Sequence, residues 1–131
     1  MTERRSIHVA GFSHVNPIPA GCQFGNFLIT GAISGMDPVT HKMAESLEDQ
    51  VANIFHSMRE IVRAAGGDTG NIVKVTVWHS GILSDPAQRA VLNREWVKMF
   101  PDENDRPARH AVISQLEPGR HLLCDMMAIL A

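Results

Sequence analysis

Over residues 45–65 the apolar side chains Leu47, Val51, Ile54, Phe55, Met58, Ile61, Val62 and Ala65 return every three or four positions. That spacing predicts an amphipathic helix, with Glu48, Asn53, Arg59 and Glu60 on the face that meets water. Ser46 followed by Asp49 gives it a start signal. Gly66-Gly67 gives it a stop, because glycine tolerates the left-handed backbone that ends many helices. A second stripe of Leu92, Trp96, Met99 and Phe100 follows Ser84-Asp85-Pro86, which reads as a cap with proline in the first turn, and it ends at Pro101.

Elsewhere the period falls to two. Over residues 72–78, Val73, Val75 and Val77 are expected on one side of a strand, with Lys74 and Thr76 on the other. The N-terminal third reads as a short strand at 6–10, an irregular connection through Pro17 and Pro19, and a hairpin of Phe24 and Phe27-Leu28-Ile29-Thr30 turning at Gly25-Asn26. Gly31, Gly35 and Asp37-Pro38 punctuate the return, and there the strand signal stops. Two more strands are expected at about 110–114 and 122–129, joined across Glu117-Pro118-Gly119. The order predicts one α+β domain over residues 1–131, a two-layer sandwich in which a mixed sheet of five to six strands is covered on one face by two helices. The uncovered face is then expected to be buried by further copies of the chain, most simply in a closed ring.

Composition narrows the function. Hydrophobic residues at 44% and charged residues at 20% are those of an ordinary soluble globular protein. A formal net charge of −2 gives no bulk attraction to phosphate backbones, so nucleic acid is not an expected partner. The apolar runs fall well short of a membrane span, the first residues are polar rather than a signal segment, and a cytoplasmic protein with no membrane partner is expected. Cys22 and Cys124 are far apart and make no C-x-x-C spacing, so they read as two reduced thiols. With no H-E-x-x-H or His-x-x-x-His spacing, no metal is expected.

The chemistry concentrates near Arg106-Pro107-Ala108-Arg109-His110. Proline fixes its own φ and pushes the preceding residue toward extended backbone, so Arg109 is mounted stiffly at the head of an apolar strand. A guanidinium so held suits bidentate recognition of a carboxylate, against the alternative of a surface ion pair. Arg106 is expected to be a solvated loop charge. Asp125, between Cys124 and Met126 in an apolar strand, would be costly to bury alone, which points to a site or to an ion pair at an interface.

Taken in order, Phe12-Ser13-His14, the segment from Gly25 through Phe27-Leu28-Ile29-Thr30 to Gly31, Asp37-Pro38 with Thr40, Ala64-Ala65-Gly66-Gly67, Val73-Lys74-Val75-Thr76-Val77, Leu92-Asn93, Pro107-Ala108-Arg109 and Met127-Ala128-Ile129 resemble the RidA family (YjgF/YER057c/UK114), small enamine/imine deaminases. The resemblance runs from about Phe12 to Ala131. It implies a chorismate-mutase-like fold, a homotrimer whose sheets line a central barrel, sites in the clefts between subunits, and catalysis without cofactors. It also implies that Arg109 binds the substrate carboxylate. The family's water-activating glutamate falls on Asp125 when counted back from Ala128-Ile129, and on Cys124 when counted forward from Pro118.

Other positions depart from the family pattern. Phe12 stands where an aromatic hydroxyl is common, and His110 and Ala111 stand where small or thiol side chains follow the arginine. Gly31-Ala32 replaces a common Ser-Gly, with backbone N–H groups still available for a carboxylate or carbonyl oxygen. His14 and His110 are candidate proton shuttles, while His8, His41, His56, His79 and His121 read as surface or packing residues. The function implied is hydrolysis of a 2-imino acid to ammonia and a 2-oxo acid. The altered pocket leaves two alternatives, a catabolic deaminase of the 2-aminomuconate type and a non-catalytic ligand-binding or chaperone-like trimer. Endoribonuclease activity, described for some members, fits poorly with the acidic charge.

Overall fold

Ser46 begins the first long helix as its spacing predicts. In the computed structural model, which describes residues 3–10 and 16–131, its Oγ accepts from the Asp49 N–H at 3.1 Å and helix α1 runs Leu47–Ala64. Gly66, at φ 90°, ends it: the Gly66 N–H bonds the Arg63 carbonyl at 2.9 Å and the Gly67 N–H bonds that of Val62 at 3.0 Å, the paired closure of a Schellman motif. Helix α2, Pro86–Met99, starts at Asp85, whose carboxylate accepts from the Ala87 N–H, with proline in its first turn. Among the described residues no helix is long and apolar enough to cross a membrane.

The strands are β1 (Arg4–Ile7), β2 (Gly21–Phe24), β3 (Phe27–Thr30), β4 (Ile33–Ser34), β5 (Ile72–His79), β6 (Ala108–Ile113) and β7 (Leu122–Ile129). They form one mixed sheet in the order β1-β2-β3-β7-β5-β6, with β4 continuing beside β3 on β7. The six-strand path matches expectation. The seventh, β4, is two residues long, too short to leave a period in the sequence. The first strand sits at Arg4–Ile7 rather than at 6–10. Gly25 at φ 62° makes the first corner of the two-residue β2–β3 turn, where positive φ matches the strand twist. Only β5 and β6 pair in parallel, joined by α2 as the crossover, which leaves β6 as an edge strand.

Both helices cover the same face. Ile33, Ile72, Val75, Val77, Leu122, Cys124, Met126 and Ala128 are buried there with Val51, Ile54, Met58 and Ile61 of α1 and Leu92 and Trp96 of α2. Val73 departs from the expected alternation. Pairing with β7 advances from Ile72↔Ala128 to Lys74↔Met127, so β5 carries an extra residue there, and Val73 turns out while Ile72 turns in.

Gln50 is fully buried and fully bonded. Its Nε2 donates to the Ala44 and Gly119 carbonyls at 2.8 and 2.7 Å, and its Oε1 accepts from the His121 N–H at 2.9 Å, tying α1 to the β6–β7 loop. Gly35 lies against it so closely that a Cβ would stand 2.5 Å from the Gln50 Cβ, which leaves glycine as the residue that fits.

Candidate functional site

Arg109 is the second residue of edge strand β6 and pairs with Val75, so its side chain leaves the sheet on the helix face. There the guanidinium carbon lies 4.9 Å from the Trp96 ring centroid, and Nη2 donates to the Asn93 Oδ1 at 2.9 Å. Trp96 is itself braced edge-on by Phe100 at 4.8 Å. Packing over an indole and one fixed hydrogen bond orient the group and leave most of its donor fork free. Partial burial pushes the Arg109 pKa down, the Arg89 charge pushes the same way, and Cys124 opposes both. A guanidinium nevertheless remains charged at neutral pH. Among the described residues, no carboxylate stands within ion-pair distance of Arg109.

Arg106 is exposed, as expected of a loop charge, and is also held by hydrogen bonds. Its Nε donates to the Phe100 carbonyl at 2.8 Å and its Nη2 to that of Pro101 at 3.4 Å, so it caps the C-terminal end of α2. The loop therefore presents one arginine for structure and one with donors to spare.

Asp125 belongs to the other face. It pairs with Thr76, and its Oδ2 accepts from the Trp78 indole N–H at 2.8 Å. Parallel pairing sets His110 beside Thr76 on that same face. Cys124, one residue away, points into the core. Burial pushes its thiol up to about 12, with the Asp125 charge adding to the rise and Arg109 opposing it. Of the two occupants considered for the glutamate position, Asp125 is thus the half-buried one and Cys124 is enclosed by its own chain.

Gly31 and Ala32 lie exposed where β3 gives way to β4. Pairing with β7 jumps from Ile29↔Met127 to Ile33↔Cys124, leaving residues 30–32 opposite Asp125 and Met126. Thr30 bridges the gap, its Oγ1 accepting from the Met126 N–H at 3.0 Å. The Gly31 N–H is engaged by the Ala20 carbonyl at 3.3 Å, and a Cβ at Gly31 would meet nothing within 4 Å. Phe12 and His14 lie outside the described residues.

The candidates thus gather in two places. Arg109 stands with Asn93 and Trp96 between α2 and the sheet edge, while Asp125 stands with Trp78, Gly31 and Ala32 about the centre of the open face. One intervening strand, β5, and the thickness of the sheet separate them within one chain. A cavity of about 200 Å³, lined by residues that include Val73, Phe100 and Pro107, contains none of these candidates. No group of three His, Cys, Asp or Glu side chains gathers as a metal would need among the described residues.

Residues 12–129 match the family model described as Endoribonuclease L-PSP. The chain belongs to that family, the RidA family. A RutC family protein of Aquifex aeolicus is 32% identical over 116 residues, 88% of this chain and 90% of that one. The 2-iminobutanoate/2-iminopropanoate deaminase of Salmonella typhimurium is 31% identical over 99 residues, 75% and 74% of the two chains. Among solved structures, RidA from an Antarctic Psychrobacter has a TM-score of 0.82 at 25% identity, covering 96% of this chain and 99% of its own. A hypothetical protein from Giardia lamblia reaches 0.88 at 20% identity, over 98% and 100%, a likeness of fold alone.

In this RidA-family chain, Trp78, Asn93 and Trp96 are the site neighbours that sequence reasoning passed over. The helical stripe places Trp96 in the core, where it is buried, but one ring face also supports Arg109. Asn93, three positions before Trp96, sits on the same side of α2, and helical spacing from Trp96 was the signal available.

Proposed function

We propose that the protein hydrolyses small 2-imino acids to 2-oxo acids and ammonia, in a homotrimer whose clefts unite the two half-sites. The observation that carries this reading is Arg109, a guanidinium oriented by Asn93 and Trp96 with no carboxylate within ion-pair distance among the described residues. Such a group grips a substrate carboxylate and holds the imine carbon at a fixed distance from it. The 2-iminobutanoate/2-iminopropanoate deaminase among its relatives supports the substrate class.

Water then adds to the imine carbon, a proton passes to the nitrogen, the C–N bond breaks and ammonia leaves with the carbonyl formed behind it. Asp125 from an adjoining copy orients the water and takes its proton, and the Trp78 N–H holds one carboxylate oxygen so that the other faces the cleft. Because Arg109 and Asp125 stand on opposite faces of the sheet, one copy alone holds half of this machinery. The apolar open face supports closure by further copies.

The test is ammonia release from freshly generated 2-iminopropanoate. Arg109→Ala should lower kcat/KM by about 100-fold, roughly 2.7 kcal/mol of lost transition-state binding, and Asp125→Asn should lower kcat. Arg106→Ala should instead act through α2 stability and leave the rate per folded molecule within a few-fold. The bond from Trp78 to Asp125 also favours a second reading, a binding module in which that carboxylate is structural. Wild-type protein that binds 2-oxo acids without accelerating ammonia release would install that reading.

A further inference from the structure

Helix α2 sets Arg89, Asn93 and Trp96 at i, i+4 and i+7, on one side of the helix. Asn93 and Trp96 both touch Arg109, so this is the side that runs along β6. As the crossover between two parallel strands, α2 runs back against the direction of β6. One turn back along α2, about 5–6 Å, therefore matches two residues forward along β6, about 6–7 Å, and puts Arg89 alongside Ala111. Ala111 shares the helix face with Arg109, and its small side chain is exposed.

Arg89 does not wave freely. Its Nε donates to the Leu83 carbonyl at 3.0 Å and its Nη2 to that of Ser84 at 3.1 Å. Among the described residues no carboxylate pairs with it, and Asp85, one turn earlier, turns an oxygen to the Ala87 N–H. The Arg89 charge is also close enough to depress the Arg109 pKa. Two fixed guanidiniums beside an exposed alanine, neither of them ion-paired among the described residues, form a place that lacks two negative charges.

We propose that Arg89 is the second arm of a dianion clamp, so that the cleft prefers a 2-imino acid carrying a second carboxylate beyond the one held by Arg109. The proposal rests on the carboxylate-binding reading of Arg109 given above. A substrate with one carboxylate would fill only the Arg109 end, over the uncharged floor at Ala111.

The experiment compares two stable product-like probes, 2-oxoglutarate and 2-oxobutanoate, by calorimetric titration of the assembled protein at low and moderate salt. Wild type should bind the dicarboxylate about tenfold tighter or more, with a ratio that shrinks as salt rises. Arg89→Gln, which can still donate to the Leu83 or Ser84 carbonyl, should bring the ratio near one, and Arg89→Lys should retain most of it. Circular dichroism on each variant separates a lost clamp from a lost fold. A wild-type ratio near one, or an unchanged ratio in Arg89→Gln, overturns the Arg89 proposal while 2-oxobutanoate binding leaves the role of Arg109 standing. If neither oxo acid binds, the role of Arg109 falls and the clamp falls with it.

Discussion

The two faces of the sheet are built from the same strands and obey different rules. On the covered face Val75, Val77, Cys124 and Ala128 have no exposed surface, and even the polar Gln50 is sealed with its bonds complete. On the open face Phe27, Ile29, Trp78, Met127 and Ile129 keep between 36% and 41% of their surface in a single copy. Strand alternation alone assigns these neighbours to opposite environments. The covered face is what folds the chain, and the open face, apolar but with Asp125, Thr76 and His110 set into it, is left uncovered by the chain's own helices and is the face the proposed trimer would bury.

The sharpest way to break that contrast is to hollow each face in turn. Met58→Ala on α1 should cost about 3–4 kcal/mol in urea unfolding, since it opens a cavity in the sealed layer. Met127→Ala on the open face should cost less than about 1 kcal/mol at protein concentrations low enough to separate the copies. Met127→Asp goes further, because three copies meeting at that face would each bring a buried charge. Sedimentation should then report the 14.4 kDa single chain with its circular dichroism kept, whereas an unchanged mass would mean that the open face is not the contact.

The smallest effect concerns His79, on the covered face. Its Nδ1 accepts from the Gly81 and Leu83 N–H groups, and burial holds its pKa below the usual 6.5. The neutral form is therefore favoured by folding. As pH falls below 6.5 the unfolded chain takes up a proton that the folded chain refuses, so stability is full above that value and declines through the folded pKa. Denaturation at pH 7.5 and 5.5 should show the decline in wild type, and His79→Gln should flatten it.

Much of the covered face was legible in the sequence, because it follows local rules. The α1 stripe, the Ser46 start and the Gly66 stop are each written within one or two helical turns, and the β2–β3 turn is written in Gly25-Asn26. What escaped depends on pairing between distant segments. The extra residue at Val73 appears only when β5 is laid against β7, and it reverses which of Ile72 and Val73 is inside. The hold on Arg106 leaves no sign in the sequence because its acceptors, the Phe100 and Pro101 carbonyls at the end of α2, have no side-chain signature. Arg109 and Asp125 are both legible as candidates in the sequence, but the sheet order that parts them and the register that sets them on opposite faces are not.

The same sheet order carries a consequence for how the chain reaches its fold. Strand β7 pairs with β3, β4 and β5, joining Phe27 to Ile129 across a hundred residues, and it is made after every strand it joins. While the ribosome is still extending the chain, β1–β3 and the β5–α2–β6 unit exist as two fragments with a missing middle, each showing unpaired strand edges. Local helices and hairpins form in microseconds, so closure must wait on the arrival of β7 and not on the speed of the parts. The interval before that arrival is when this protein is most exposed to aggregation and to chaperones.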